Sequence, residues 1–190
     1  MKKKSLTIII ILAAVALLAG WIIGSYNKLV RNEENVSNAW AQVETAYQRR
    51  ADLIPNLVAT VKGYAEHESS TLENTMKARG YGNTQPTEQN VAEFQRQEQE
   101  ISAALSRLMV VIERYPDLKA NENFLDLQAQ LEGTENRISI ARNNFNEAAK
   151  TYNTIVRSFP ANIVAGMFGF EKKGYFKADE AAATAPTVQF

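Results

Sequence analysis

The chain has no cysteine, five prolines, nine glycines and one histidine among 190 residues. Without a thiol there is no lipidation site, although Leu17-Leu18-Ala19-Gly20 resembles the start of a lipoprotein cleavage box. The next residue is Trp21. The same absence leaves the redox compartment undecided. Long stretches free of both proline and glycine favour long helices. Charge is balanced, 21 Lys+Arg against 21 Asp+Glu with no basic block. This argues against nucleic acid, whose binding rests on phosphate neutralisation. No Ser/His/Asp arrangement, phosphate-cradling glycine loop or recognisable carboxylate pair is present, so the reading is not an enzyme and expects no cofactor.

What the chain does have is an apolar run from Leu6 to Gly24, directly behind Lys2-Lys3-Lys4. A helix of about 19 residues at about 1.5 Å per residue just crosses a bilayer core of about 30 Å. A cleavable signal peptide is the alternative, but the run is long for one and Trp21-Ile22-Ile23 extend it past the small residues. Trp21 and Tyr26 suit the far membrane interface. Three lysines precede the span, and Lys28 and Arg31 follow it. The positive-inside rule therefore places the N-terminus inside and the bulk of the chain outside, periplasmic in a Gram-negative inner membrane, with the cytoplasmic orientation as alternative. The expected divisions are a basic N-terminus (1–5), a transmembrane helix (6–24), a long-helix bundle (25–160), an aromatic hook (161–177) and an extended tail (178–190).

One heptad-like stripe recurs three times. Val36, Trp40, Val43, Tyr47, Ile54, Leu57, Val61 and Tyr64 form the first, with Arg50 as its polar step. Val91, Phe94, Ile101, Leu105, Leu108, Ile112 and Tyr115 form the second, with Glu98 as its polar step. The third runs Phe124, Leu127, Leu131, Thr134, Ile138, Ala141, Phe145, Ala148, Tyr152, Ile155 and Phe159. The predicted fold is all-α: an up-and-down, left-handed bundle of three long helices with a short C-terminal helix or hook. Whether Arg50 meets Glu98 in its core is left open.

Gly80-Tyr81-Gly82-Asn83 ends the first helix, Thr87 caps the second, and Tyr115-Pro116 and Phe159-Pro160 end the second and third. The stripe keeps phase across Pro55, which predicts one kinked helix from about Tyr26 to Arg79. Such a helix outruns its second partner, leaving its membrane-proximal part unpartnered, a reason to expect self-association. Tyr26-Asn27-Lys28-Leu29-Val30-Arg31 is echoed by Tyr152-Asn153-Thr154-Ile155-Val156-Arg157. Equivalent helix positions or chance account for it, since a repeat protein needs a regular period.

In Glu66-His67-Glu68 the neighbouring side chains point in different directions, so no metal site is expected. Arg49, Arg50, Asp52, Pro55, Asn56 and Lys62 form a polar group around the proline, either supporting a kink or docking a partner. Ile163, Val164, Met167, Phe168, Phe170, Tyr175 and Phe176 are too apolar for water. They pack on the bundle, enter the lipid interface, or lie between subunits. Val188 and Phe190 close the tail.

These segments resemble the LemA family of bacterial membrane-anchored proteins. The resemblance is carried by the N-terminal span, YNKLV from Tyr26, AWAQVE from Ala39, RRADLIPNLVATVKGYAEHE from Arg49 to Glu68, YNTIVRSFPAN from Tyr152, GFEKKGYF from Gly169 and the closing APTVQF. It implies a long-helix bundle on a single-pass anchor with no established catalysis or cofactor. A related branch is associated with magnetosome membranes. It also places Arg49, Arg50, Asp52, Pro55, Asn56, Lys62, Tyr64, His67, Glu68, Phe159, Pro160, Gly169, Phe170, Tyr175 and Phe176 in the family motif, without roles. The expected partners are membrane lipid and further copies of the chain, a homo-oligomeric scaffold; the alternative is a monomeric adaptor for another envelope protein.

Overall fold

The computed structural model describes residues 2–78 and 88–177. Among these there are six α-helices and no strand: α1 (Lys2–Lys62), α2 (Ser69–Lys77), α3 (Glu88–Ile112), α4 (Pro116–Lys119), α5 (Glu122–Arg157) and α6 (Ala161–Phe168). A 3-10 turn, Glu66–Glu68, precedes α2. The caps expected at residues 80–83 and at Thr87, the helix end at Arg79, and the tail 178–190 lie outside the described residues.

The apolar run and the first bundle helix are one continuous 61-residue helix. Its first part is long and apolar enough to cross a membrane, and none of that window is buried in the protein. Pro55 lies inside α1 without ending it. The predicted helix to Arg79 is corrected here: α1 stops at Lys62. Gly63 weakens the helix, and Tyr64 and Ala65 both donate back to the Val61 carbonyl, at 3.0 and 2.9 Å. Folding back there buries Leu72 among Ile54, Leu57, Ile101 and Leu105. A straight helix would leave it in water. Tyr64, the last member of the first stripe, is accordingly exposed, and Ala65 is buried instead.

Long helices run in fixed directions. Trp40 meets Phe94, and Arg50 meets Glu98, so α3 ascends beside α1. Trp40 also meets Phe145, and Arg50 meets Glu135, so α5 descends. α1 and α3 thus run parallel and α5 runs antiparallel to both, with the short α2 between α1 and α3 in chain order. At about 1.5 Å per residue the 36 residues of α5 reach about 54 Å, back to the start of the bundle. The expectation that membrane-proximal α1 lacks a partner is therefore corrected. Leu29 and Val36 are fully buried against Tyr152, Val164 and the residues around them. The echoed hexapeptides face each other here, Leu29 on α1 packing with Tyr152, Ile155 and Val156 on α5.

The core falls into two apolar clusters, one from Leu29 to Tyr47 on α1 and one from Ile54 to Val61. A polar layer separates them. Arg50 Nη1 donates to Glu98 Oε1 at 3.1 Å and Glu135 Oε2 at 2.8 Å, and its Nη2 donates to Ser102 at 3.1 Å. Ser102 in turn donates to Glu98 at 2.9 Å. The pairing left open by the sequence thus exists, with both side chains only 8 % exposed.

Burial, with Glu98 nearby, pushes the Tyr47 phenol well above its ordinary value. The unfolded chain therefore loses that proton first, near pH 10, while the folded chain retains it. Stability should fall as pH rises beyond about 10. Denaturant midpoints at pH 9 and 11 check this, with Tyr47→Phe expected to lessen the fall; an equal fall in both proteins would remove Tyr47 as its cause.

Candidate functional site

After α5 the chain turns at Ser158-Phe159-Pro160 and forms α6. Gly169 ends α6 with φ 76°, a left-handed conformation natural to glycine. Phe170 can then donate back to the Ala165 carbonyl at 3.0 Å. From Phe170 the hook climbs the bundle as extended chain, and three side-chain amides act as its strand partner. Asn153 accepts from the Lys173 N–H and donates to the Lys173 carbonyl, both at 2.8 Å. Asn146 does the same for Phe176, both at 2.9 Å. Gln95 does it for Lys177, at 3.0 and 3.1 Å. Each amide satisfies one donor and one acceptor that would otherwise need water. A further tie joins Lys173 Nζ to Glu33 on α1 at 2.7 Å.

Phe176 is the hook's anchor. Its ring stacks on Trp40 at 6.0 Å, meets Phe145 and Phe94 edge-on at 5.5 and 6.3 Å, and lies under the Arg142 guanidinium at 4.9 Å. It is buried, so of the predicted contact residues it belongs to the core and is unavailable to a partner. Phe170 is half-buried against Tyr26 at 5.6 Å, and Phe168 meets the same ring at 4.9 Å. Ile163, Met167 and Phe168 face outward from α6, whose Val164 and Ala165 are buried. Phe159, the last member of the third stripe, is exposed beside them, and Tyr175 is exposed with its hydroxyl on Asn153 at 3.0 Å.

The predicted polar group divides in two. Arg50 is internal, Pro55 is half-buried, the Tyr64 hydroxyl accepts from Asn121 at 3.1 Å, and Glu68 pairs with Arg114 at 2.8 Å. Arg49, Asp52, Asn56, Lys62 and His67 face outward. Asp52 accepts from Gln48 at 2.8 Å. Arg49 lies in a groove between α1 and α5 that sequence reasoning missed, lined by Ala41, Thr45 and Ala46 on one side and Arg137, Ile140 and Asn144 on the other. Neither Arg49 nor Arg137 has an ion pair among the described residues. Ile140, apolar but off the third stripe, was the available signal. The amide ladder carried none, because Asn and Gln on a helix surface have no distinctive spacing.

The family model for the LemA family matches residues 39–190. The chain is 28% identical to magnetosome protein MamQ 2 of Paramagnetospirillum magneticum over 95% of this chain and 74% of that one. It is 26% identical to protein LemA of Metamycoplasma hominis, over 83% of this chain and 71% of the relative. It is also 26% identical to magnetosome protein MamQ of Magnetospirillum gryphiswaldense, over 84% and 67%. The match takes in the polar layer, the amide ladder and the aromatic anchor together, and the chain belongs to the LemA family.

Proposed function

We propose that the chain is a non-enzymatic scaffold of the bacterial inner membrane, with its bundle outside, whose subunits associate side by side and organise the membrane that carries them. One observation carries this reading: among the described residues, the α1–α5 pair is covered by α3 and the hook on one side and uncovered on the other. The bare side presents Ala41, Thr45, Ala46 and Ile140. Small side chains permit close helix approach, and an exposed isoleucine between them is better covered by another helix than by water. That relatives are magnetosome proteins supports a place in membrane organisation. The test is the mass of the complex in gently extracted native membranes. One large, homogeneous species is expected, with Ile140→Glu shifting it towards the monomer at unchanged helicity. A monomeric wild type would sink the scaffold.

Arg49 and Arg137, which line the groove and have no ion pair among the described residues, favour a second reading, an adaptor that receives an acidic helix of another envelope protein. Charge reversal at Arg49 and Arg137 should then release a co-purifying protein of different mass. An unchanged set of partners would remove that reading.

A further inference from the structure

We infer that α6 and the corner before it form a second membrane contact, seated in the lipid interface beside the span. This rests on reading residues 6–24 as a bilayer span. As α1 rises residue by residue, α5 descends at the same rate, from Glu135 beside Arg50 to Phe145 beside Trp40. Continuing that register brings Phe159 level with Tyr26, two residues past the apolar run. Phe168 and Phe170 touch Tyr26 directly, and Ile22, inside the run, packs against the cluster that holds Val164 and Ala165. The hook is therefore continuous with the end of the span.

Phe159, Ile163, Met167 and Phe168 are between 51 and 81 % exposed. The first three follow four-residue steps, which along α6 place Ile163 and Met167 on one face. At this level of the bundle the exposed cations Lys28, Arg31, Arg157 and Lys172 outnumber the exposed acids Glu34 and Glu171. An apolar platform with an excess of basic over acidic residues beside it suits a helix lying in an anionic lipid interface. A second copy is the poorer occupant, since it would bring the same excess of positive charge against itself. Two contacts, the span and the platform, would restrict rotation and tilt of the bundle on the membrane.

With no native cysteine, single cysteines can be spin-labelled in the full chain. We would place them at Leu12, Ile163, Met167 and Val110, then reconstitute each protein in vesicles of phosphatidylethanolamine and phosphatidylglycerol. Val110 is an exposed apolar residue on α3 at the far end of the bundle. Labels at 163 and 167 should relax several-fold more with oxygen than with a water-soluble nickel chelate, as at 12, and the label at 110 should do the reverse. A label at 167 that behaves as at 110 would overturn the proposal. So would protection from both reagents, which would place a second copy there. A water-exposed label at 12 would overturn the span itself, and the proposal with it.

Discussion

Phe176→Ala is expected to free the hook and destabilise the fold by about 3–5 kcal/mol, the range for removing a buried phenylalanine. That is a large part of the roughly 5–15 kcal/mol by which a domain is stable. The effect should sit near the upper end because Phe176 is not simply one more core residue. Its ring is shared by α1, α3 and α5 through Trp40, Phe94 and Phe145, so its removal opens a cavity where three helices meet. The amide ladder alone cannot hold the hook, because its hydrogen bonds exchange readily for water. Limited trypsin digestion reads the release, since Lys172, Lys173 and Lys177 all lie on the hook. Faster cleavage there, with a lower denaturation midpoint, is the expected pair of results. Unchanged cleavage and midpoint would mean that the ring is not the hook's anchor.

Glu98→Ala is expected to cost about 3–5 kcal/mol, the range for leaving one partner of a buried ion pair behind. The stranded group is Arg50, whose side chain is 8 % exposed. Glu135 stays within 2.8 Å of it but is itself 58 % exposed and solvated, so the loss should fall toward the lower end. Replacing both partners with apolar residues, Arg50→Met with Glu98→Leu, should cost much less, because neither charge then needs desolvating. Denaturant unfolding of Arg50→Met, Glu98→Leu and the double closes a cycle. If the double is as unstable as Glu98→Ala, the layer contributes through packing and the unpaired charge is not the cause. We hypothesise that the layer sets the axial register of α1, α3 and α5, since a one-turn slip would bury Arg50 among leucines. Added line broadening in the NMR spectrum of the double variant would support this; sharp, single resonances would remove it.

The amino-acid pattern alone determined the helix class, a first helix long and apolar enough to cross a membrane, and the faces. Periodicity is a local property, and most members of its three stripes are buried, with Tyr115, Leu127, Ala148 and Ile155 half-buried. It also marked Arg50 and Glu98 as odd steps in otherwise apolar seams. What it misjudged were the ends. Tyr64 and Phe159 keep the period but are exposed, because a helix stops where its partners do, and partners are not local. The phase kept across Pro55 read correctly as one helix, but the same reasoning carried α1 past Gly63, where Leu72 gains more by turning back than by continuing.

Only tertiary structure decided the rest. That Arg50 meets Glu98 and Glu135 depends on the relative heights of three helices. That Asn146, Asn153 and Gln95 pair with one extended segment depends on side chains from two helices converging on a backbone far away in sequence. The apolar hook residues looked alike in sequence. The fold turns Phe176 into the aromatic centre and leaves Ile163, Met167 and Phe168 facing out. Hydrophobicity specifies that a side chain should leave water; which surface receives it is set by where the chain's other elements come to rest.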